Sequence, residues 1–536
     1  VDPERFPWFD AGWPGVTRER LVLYELHVGT FSSAGTFEGI VPFLRGLRRL
    51  GVTAIELMPV AEFPGRRNWG YDGVDLFAPS HVYGGPTGLR RLVDAAHRIG
   101  LGVILDVVYN HLGPDGNYLR TYADAYFTDR YQTPWGEALN YDGPSSAYVR
   151  ELVIQNACHW LVEYHLDGLR LDATHAIFDS GPKHLLTELA ETARAAVGPD
   201  RSVVLMAEDG RNQVDLVRAP SLGGHGLDAV WSDDFHHALH TALTGEQEGY
   251  YRDYPGTAEA VARTIVGGFY YQGQPTVRRG TPRGQAVTDE PASAFVFCTE
   301  NHDQVGNRAL GERLNHLVGR PEYAIAAALL ILAPETPLLF MGQEFAASSP
   351  FLFFTDHEPE LGRLVTEGRR NEFAHFSAFS DPARRHSIPD PQSEATFRRS
   401  MLDHAEQKSN GAVLLLYQHL LGMRARDPVF SRADRQRTDA AALGDRGVVV
   451  SRWVEGPGGT IAAERLVIAN WGPAFDGPVD AHRLLARLND RNWRPLLSTT
   501  QSRYGGNGER LFRRSVGGVT HLRVPARCAV VYARSA

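Results

Sequence analysis

Four stretches of the chain end apolar runs with groups able to do acid–base chemistry: DVVYNH (106–111), GLRLDATH (168–175), VVLMAEDG (203–210) and TENHDQ (299–304). In an extended GLRLDATH, Arg170 and Asp172 share one face, and Leu169 and Leu171 share the other. The leucines suit packing against helices, which aims the guanidinium and the carboxylate into a cavity. A cation there favours the ionised acid that a nucleophile requires; a structural ion pair at a strand end would read the same way. Glu208 follows Met206 and Ala207. Desolvation in such surroundings disfavours the ionised form and suits a general acid, with an exposed loop acid as the alternative. Glu300, Asn301, His302 and Asp303 crowd the end of AFVFC, a density of polar groups unusual for packing alone. Asp106 lies within its strand and reads as a buried, hydrogen-bonded support, whereas His111 ends that strand within reach of a substrate.

These groups, with no cofactor motif among them, fit hydrolysis of a neutral polar substrate. Glycoside cleavage uses two carboxylates across the scissile bond, roughly 5 Å apart for retention and roughly 6.5–9.5 Å for inversion. Metal-assisted hydrolysis is the competing chemistry. Neither HxH nor HExxH spacing occurs, and the adjacent His236 and His237 form a poor chelating pair. No metal or cofactor is expected.

The elements that must hold these residues are legible as apolar runs. Strands are predicted in LVLYELHV from Leu21, VTAIELMPV from Val52, GVILDVVYN from Gly102, DGLRLDAT from Asp167, SVVLMAED from Ser202, LDAVWSDD from Leu227, AFVFCTEN from Ala294 and TPLLFMGQE from Thr336. Between them lie helical patterns, such as FEGIVPFLRGLRRLG from Phe37, TGLRRLVDAAHRIG from Thr87 and YVRELVIQNACHWLVEY from Tyr148. Eight alternations point to an α/β fold of the (β/α)8 barrel type. An open doubly wound sheet is the rival, weakened because no glycine fingerprint follows the first strand. Residues 1–20 read as an N-terminal linker and 21–430 as the barrel. The barrel has an insertion at about 111–146, after the third strand, and a post-barrel helical segment at about 345–430. Residues 431–536, with VVVSRWV, ERLVIANW and CAVVYAR, read as a C-terminal antiparallel β-sandwich.

The chain has 536 residues, 43% of them hydrophobic, and a formal net charge of −8 from 63 acidic and 55 basic groups. That balance gives no attraction to nucleic acid. No apolar run approaches the roughly 18 residues that cross a bilayer. Three scattered cysteines, Cys158, Cys298 and Cys528, supply no disulfide framework, so a reduced, cytoplasmic setting is expected.

Together the four polar stretches resemble, in order and spacing, the conserved regions of the α-amylase superfamily of glycoside hydrolases, over about residues 20–430. The resemblance implies a retaining double displacement. Asp172 is then the nucleophile, Glu208 the general acid/base and Asp303 the stabiliser of the transition state. It also implies that His111 and His302 bind sugar hydroxyls, that Arg170 orients Asp172, and that Tyr71, in RNWGYDG, stacks beneath the ring at the cleavage point. Asp72 and His175 join them as substrate-binding candidates.

A finer likeness is to the maltooligosyltrehalose trehalohydrolases of that superfamily. It is carried by LYELHVGTFS, NWGYDGVDLFAPSHVYGGP, DVVYNHLGPDGNYL, ENHDQVGNRALGER, PFLFFTDHEPEL and EGRRNEF. That group cuts the α-1,4 bond next to the terminal trehalose of a maltooligosyl trehalose, and a maltooligosyltrehalose synthase is then the pathway neighbour. Phe353 and Phe354, in FLFFTDH, either wall the side receiving trehalose or plug the barrel. Many amylases bind calcium through an asparagine at the position of Asn110; the trehalose-releasing group resembles those without that site, which leaves Asn110 a structural role. Members of the group usually carry a β-sandwich before the barrel, whereas residues 1–20 here resemble the linker that follows it. Glucan branching or debranching enzymes of the superfamily are the rival reading. A non-catalytic glucan-binding protein is a third, against which the presence of all three carboxylates argues.

Overall fold

The structure, a computed structural model, describes residues 6–278, 280–490 and 492–535, so the first five residues of the expected linker lie outside the described residues. Eight parallel strands close into a barrel: β1 (Leu23–Leu26), β2 (Ala54–Leu57), β3 (Gly102–Val107), β4 (Gly168–Leu171), β5 (Val204–Ala207), β6 (Ala229–Trp231), β7 (Phe295–Cys298) and β8 (Thr336–Phe340). Each lies inside a run predicted as a strand. Every residue of β1 to β5 is buried, which is why these strands read as apolar runs and not as an alternation.

Helices α1 (Phe37–Leu50), α2 (Gly85–His97), α3 (Ser146–Glu163) and α4 (Leu185–Val197) separate the first five strands. The boundaries of α1 follow from its ends. The Thr36 side chain accepts from the Gly39 amide, and Gly51, at φ 116°, takes the left-handed conformation that stops the helix. After β6 come α5 (Asp233–Thr244) and α6 (Ala258–Gly267), and α7 (Arg320–Leu332) joins β7 to β8. The expected alternation fails once. Between β5 and β6 the chain makes only 3-10 turns, Val214–Leu216 and Pro220–Leu222. Pro220 and the left-handed Gly223 and Gly226 rule out a longer helix there.

The chain divides into two compact units. The first runs to Trp231 and adds residues 301–312 and 349–404; it contains β1–β6 and every candidate site residue. The insertion after β3 belongs to it and carries a hairpin, Phe127–Thr133 paired with Gly136–Leu139. The segment read as a linker is bound within the same unit. Trp13 Nε1 donates to Asp167 Oδ1 at 2.6 Å, and the Phe9 amide donates to Asp94 Oδ1 at 2.6 Å. Asp10 Oδ2 lies 2.9 Å from His97 Nδ1 and 2.8 Å from His165 Nδ1, while Trp8 stacks on His165 at 3.8 Å.

The second unit comprises residues 232–300, 313–348 and 405–536. It holds β7, β8 and helix α8 (Gly411–Arg426). Its C-terminal part is a five-stranded antiparallel sheet and a three-stranded one. Val449, Leu466, Ile468 and Val530 of the larger sheet share one apolar cluster with Leu522 and Val524 of the smaller. Among the described residues no helix is long and apolar enough to cross a membrane.

Candidate active site

Neighbouring barrel strands place acids and bases at matching levels. In the parallel registers Glu25 of β1 pairs with Glu56 of β2, and Asp106 of β3 pairs with Arg170 of β4. Leu171 pairs with Ala207, so Asp172 and Glu208 leave the adjacent ends of β4 and β5 together. Arg170 is fully buried and its guanidinium serves three carboxylates. Nη1 donates to Asp172 Oδ1 at 2.7 Å and to both oxygens of Asp106 at 2.8 Å, and Nη2 lies 3.8 Å from Glu208 Oε2. The indole of Trp231, at the end of β6, covers the guanidinium at 4.4 Å and excludes water from that side.

Asp172 is anchored at both oxygens. Asn110 Nδ2 donates to Oδ2 at 2.7 Å and to the Asp172 carbonyl at 2.9 Å. Burial pushes this carboxyl up, but the Arg170 charge, His111 and the Asn110 hydrogen bond outweigh it and hold the group below its ordinary value. An ionised carboxylate with two fixed donors is what attack on an anomeric carbon requires. Glu208 is tied to the same turn: the amide of Ala173, the residue after Asp172, donates to Glu208 Oε2 at 2.7 Å. To aim that amide, Ala173 takes a left-handed φ of 40°, unusual for a side-chain-bearing residue.

Asp303 lies in the first turn of a short helix, His302–Gly306, which is capped by Asn301. Its side chain is 40% exposed and 3.5 Å from His302 Nε2. Tyr71 stacks on His302 at 5.2 Å, donates its hydroxyl to Asp106 Oδ2 at 2.6 Å, and stands 2.6 Å from His302 Nε2. Burial raises Tyr71 far above the usual phenol value, so it keeps its proton. Burial, opposed by Arg170, pushes Asp106 up to about 6, which leaves it ionised at neutral pH. His111 contacts Asn110 Oδ1 through Nδ1 and the Tyr71 carbonyl through Nε2 at 2.9 Å. These acceptors and Asp172 favour the cation, yet burial prevails and lowers the imidazole below its ordinary value. On its open face lies Trp135, at the hairpin tip, stacked at 4.5 Å and 47% exposed.

Two groups the sequence analysis passed over complete the cluster. Glu25 accepts from the His302 amide at 2.9 Å and meets Nδ1 at 2.5 Å. Glu56, fully buried, is held well above the carboxylate range, first by burial and then by its neighbours Glu25 and Asp106. Both sit in apolar strands, LYEL and AIEL, and a glutamate at an inward strand position was the available signal.

The remaining candidates separate. Asp72 faces the post-barrel loop, accepting from Asn68 at 2.6 Å and lying 3.4 Å from His357, whose Nδ1 is 3.0 Å from Asp115. His175 is exposed on the turn after β4. Phe353 is half-buried beside Trp69 and Arg369. Phe354 is fully buried, packed by His27, Phe351 and Phe397. Among the described residues no group of three or more His, Cys, Asp or Glu is arranged to hold a metal ion.

Comparison with known proteins identifies relatives of the chain. The family model described as "Alpha amylase, catalytic domain" matches residues 24–135. The malto-oligosyltrehalose trehalohydrolase of Deinococcus radiodurans is 48% identical over 88% of this chain and 76% of its own length. That of Saccharolobus solfataricus is 45% identical over 79% of this chain and 72% of its own length. A crystal structure assigned as an alpha amylase, from Salmonella typhimurium, superposes with a TM-score of 0.85 at 37% identity, covering 100% of this chain and 85% of that one. The chain therefore belongs to the malto-oligosyltrehalose trehalohydrolase family of α-amylase-type glycoside hydrolases.

Proposed function

We propose that this protein releases trehalose by hydrolysing the α-1,4 bond next to the terminal trehalose of maltooligosyl trehalose, through Asp172, Glu208 and Asp303. The observation that carries the reading is the single guanidinium of Arg170, 2.7 Å from Asp172 and 3.8 Å from Glu208, in a chain 48% identical to a named trehalohydrolase. One guanidinium thus holds the nucleophile and reaches toward the general acid, and the retaining course is the one that the family resemblance implies.

Asp172 attacks the anomeric carbon while Glu208 protonates the departing glycosidic oxygen, so trehalose leaves and a glucosyl ester forms. With Oε2 accepting the Ala173 amide, the acid's proton belongs on Oε1. Glu208 then removes a proton from water, whose oxygen displaces Asp172 and restores both carboxyls. Asp303 and the charged His302 face the hydroxyls of the same ring and stabilise the oxocarbenium-like transition state. His111, Trp135 and Phe353 border the substrate. No metal or cofactor enters these steps. A synthase that builds the trehalose-capped glucan supplies the substrate.

Incubation with maltooligosyl trehalose and, separately, with maltooligosaccharide of equal length tests this. Trehalose released faster than glucose or maltose supports the reading. Equal rates on both, or accumulation of α-1,6 branches, overturn it.

A further inference from the structure

With Glu25 as a carboxylate, hydrogen-bond direction around His302 sets its protonation. A carboxylate at Glu25 only accepts, so the 2.5 Å contact of its Oε1 then places a proton on Nδ1. The hydroxyl of Tyr71 has one proton, already given to Asp106 Oδ2. Towards His302 the Tyr71 oxygen can therefore only accept, and the 2.6 Å contact requires a second proton, on Nε2. Both ring nitrogens are occupied, and the ring is a cation.

We infer that Glu25 is a positioning residue: it clamps His302 as an imidazolium and so sets the direction of a hydrogen-bond chain that runs from β1 to the nucleophile. The chain passes from Glu25 to His302, Tyr71, Asp106, Arg170 and Asp172. Its formal charges alternate: Glu25 negative, His302 positive, Asp106 negative, Arg170 positive, Asp172 negative, with Tyr71 neutral between His302 and Asp106. Glu56 lies beside Glu25 in register, and protonation of Glu56 keeps that alternation intact, because two adjacent buried carboxylates do not both ionise. The other groups acting on the ring are Asp303 on its own helix, Arg170 on β4 and His27 after β1; Trp69 and Trp231 contribute uncharged faces. Burial opposes the charge, but Asp303 and Glu25 outweigh it and lift the imidazole to about 9. With the cation in place, Tyr71 has no choice of partner, and Asp106 and Arg170 hold Asp172 in one orientation. Without it, a neutral His302 offers Tyr71 a lone pair, the hydroxyl can turn away from Asp106, and the chain loses its direction.

The inference rests on the catalytic reading of Asp172, but its test does not. The His302 ring is titrated by NMR in the full-length protein with labelled histidine, its signal identified by loss in His302→Gln. Wild-type His302 should remain charged through pH 8, and in Glu25→Gln its midpoint should fall toward the ordinary value of about 6.5. Glu25→Asp keeps the charge and should preserve the high midpoint. Turnover of Glu25→Gln should fall roughly a hundredfold, mainly in kcat, with an alkaline limb moved to lower pH. A wild-type midpoint near 6.5 overturns the inference, and this measurement does not depend on a Glu25 variant folding. So does a Glu25→Gln midpoint that does not move. If Asp172→Asn retains activity, the catalytic reading fails while the titration of His302 stands.

Discussion

The nucleophile candidate Asp172 shares an amino group of Arg170 with Asp106: Nη1 lies 2.7 Å from Asp172 Oδ1 and 2.8 Å from each oxygen of Asp106. A lysine carries the charge without the planar fork and cannot bridge all three acids. Arg170→Lys should lower kcat by roughly a hundredfold, or about 3 kcal/mol. The reaction needs ionised Asp172, whose value is held below the ordinary carboxylate range, so the rate is lost as pH falls through that lowered value. Weakening the cation raises Asp172, and the acidic limb of kcat/KM should move to higher pH. A limb that stays in place would show that Arg170 is not what ionises Asp172.

Glu208 acts, on our reading, by protonating a poor leaving group. Glu208→Gln should slow trehalose release by roughly 10²–10⁴-fold. An aryl glucoside with an acidic phenol needs no such proton, so formation of the glucosyl ester from it should be largely spared. Added azide, which attacks without a general base, should restore its turnover. Equal losses on the two substrates, with no help from azide, would remove the acid/base role.

Trp135 covers His111 and presents nearly half its surface to solvent at the tip of the insertion hairpin. An indole in that position can stack on a sugar ring. Trp135→Ala should raise KM by roughly 3–10-fold, with a smaller change in kcat. A purely structural lid would instead lower thermal stability and leave KM alone.

The N-terminal strap carries its own pH response. In His97, burial is outweighed by the hydrogen bonds and charges of Asp167 and Asp10, so the folded value lies above the ordinary one. Its stabilisation is complete below about pH 6.5 and is lost as pH rises through the folded value. Asp10 has the opposite sign: burial is outweighed by His165 and His97, so its contribution is present above about pH 3.8 and is lost as pH falls through the lowered folded value. Thermal unfolding followed across pH should show a wild-type decline as pH rises above about 6.5 that Asp10→Asn flattens while lowering Tm. Parallel curves for the two proteins would discount the clamp.

The strands were legible because a short parallel strand buried on both faces is an unbroken apolar run, and all eight lie within the predicted stretches. The shared face of Arg170 and Asp172 followed from the period of two in GLRLDATH, and the two side chains meet at 2.7 Å. Glu25 and Glu56 escaped notice because one charged residue in an apolar tetrapeptide has no local partner; their significance lies in cross-strand register. The missing helix between β5 and β6 was obscured by counting strands and assuming the connections. Phe353 and Phe354 are adjacent and alike in sequence, and only packing distinguishes the half-buried ring from the one fully enclosed. Residues 1–20 read as a linker in sequence, and the partners that Trp13 and Asp10 find lie far along the chain, where no local pattern shows them.

The amide of Ala173 has a consequence for how such a protein can diversify. It links Glu208 to the peptide unit directly after Asp172, so the gap between the two acids is gauged by one turn of backbone and one hydrogen bond. Segments such as the hairpin bearing Trp135 can be rebuilt, lengthened or replaced without resetting that gauge. Choice of glucan and stereochemical outcome are thereby free to evolve on separate parts of the chain.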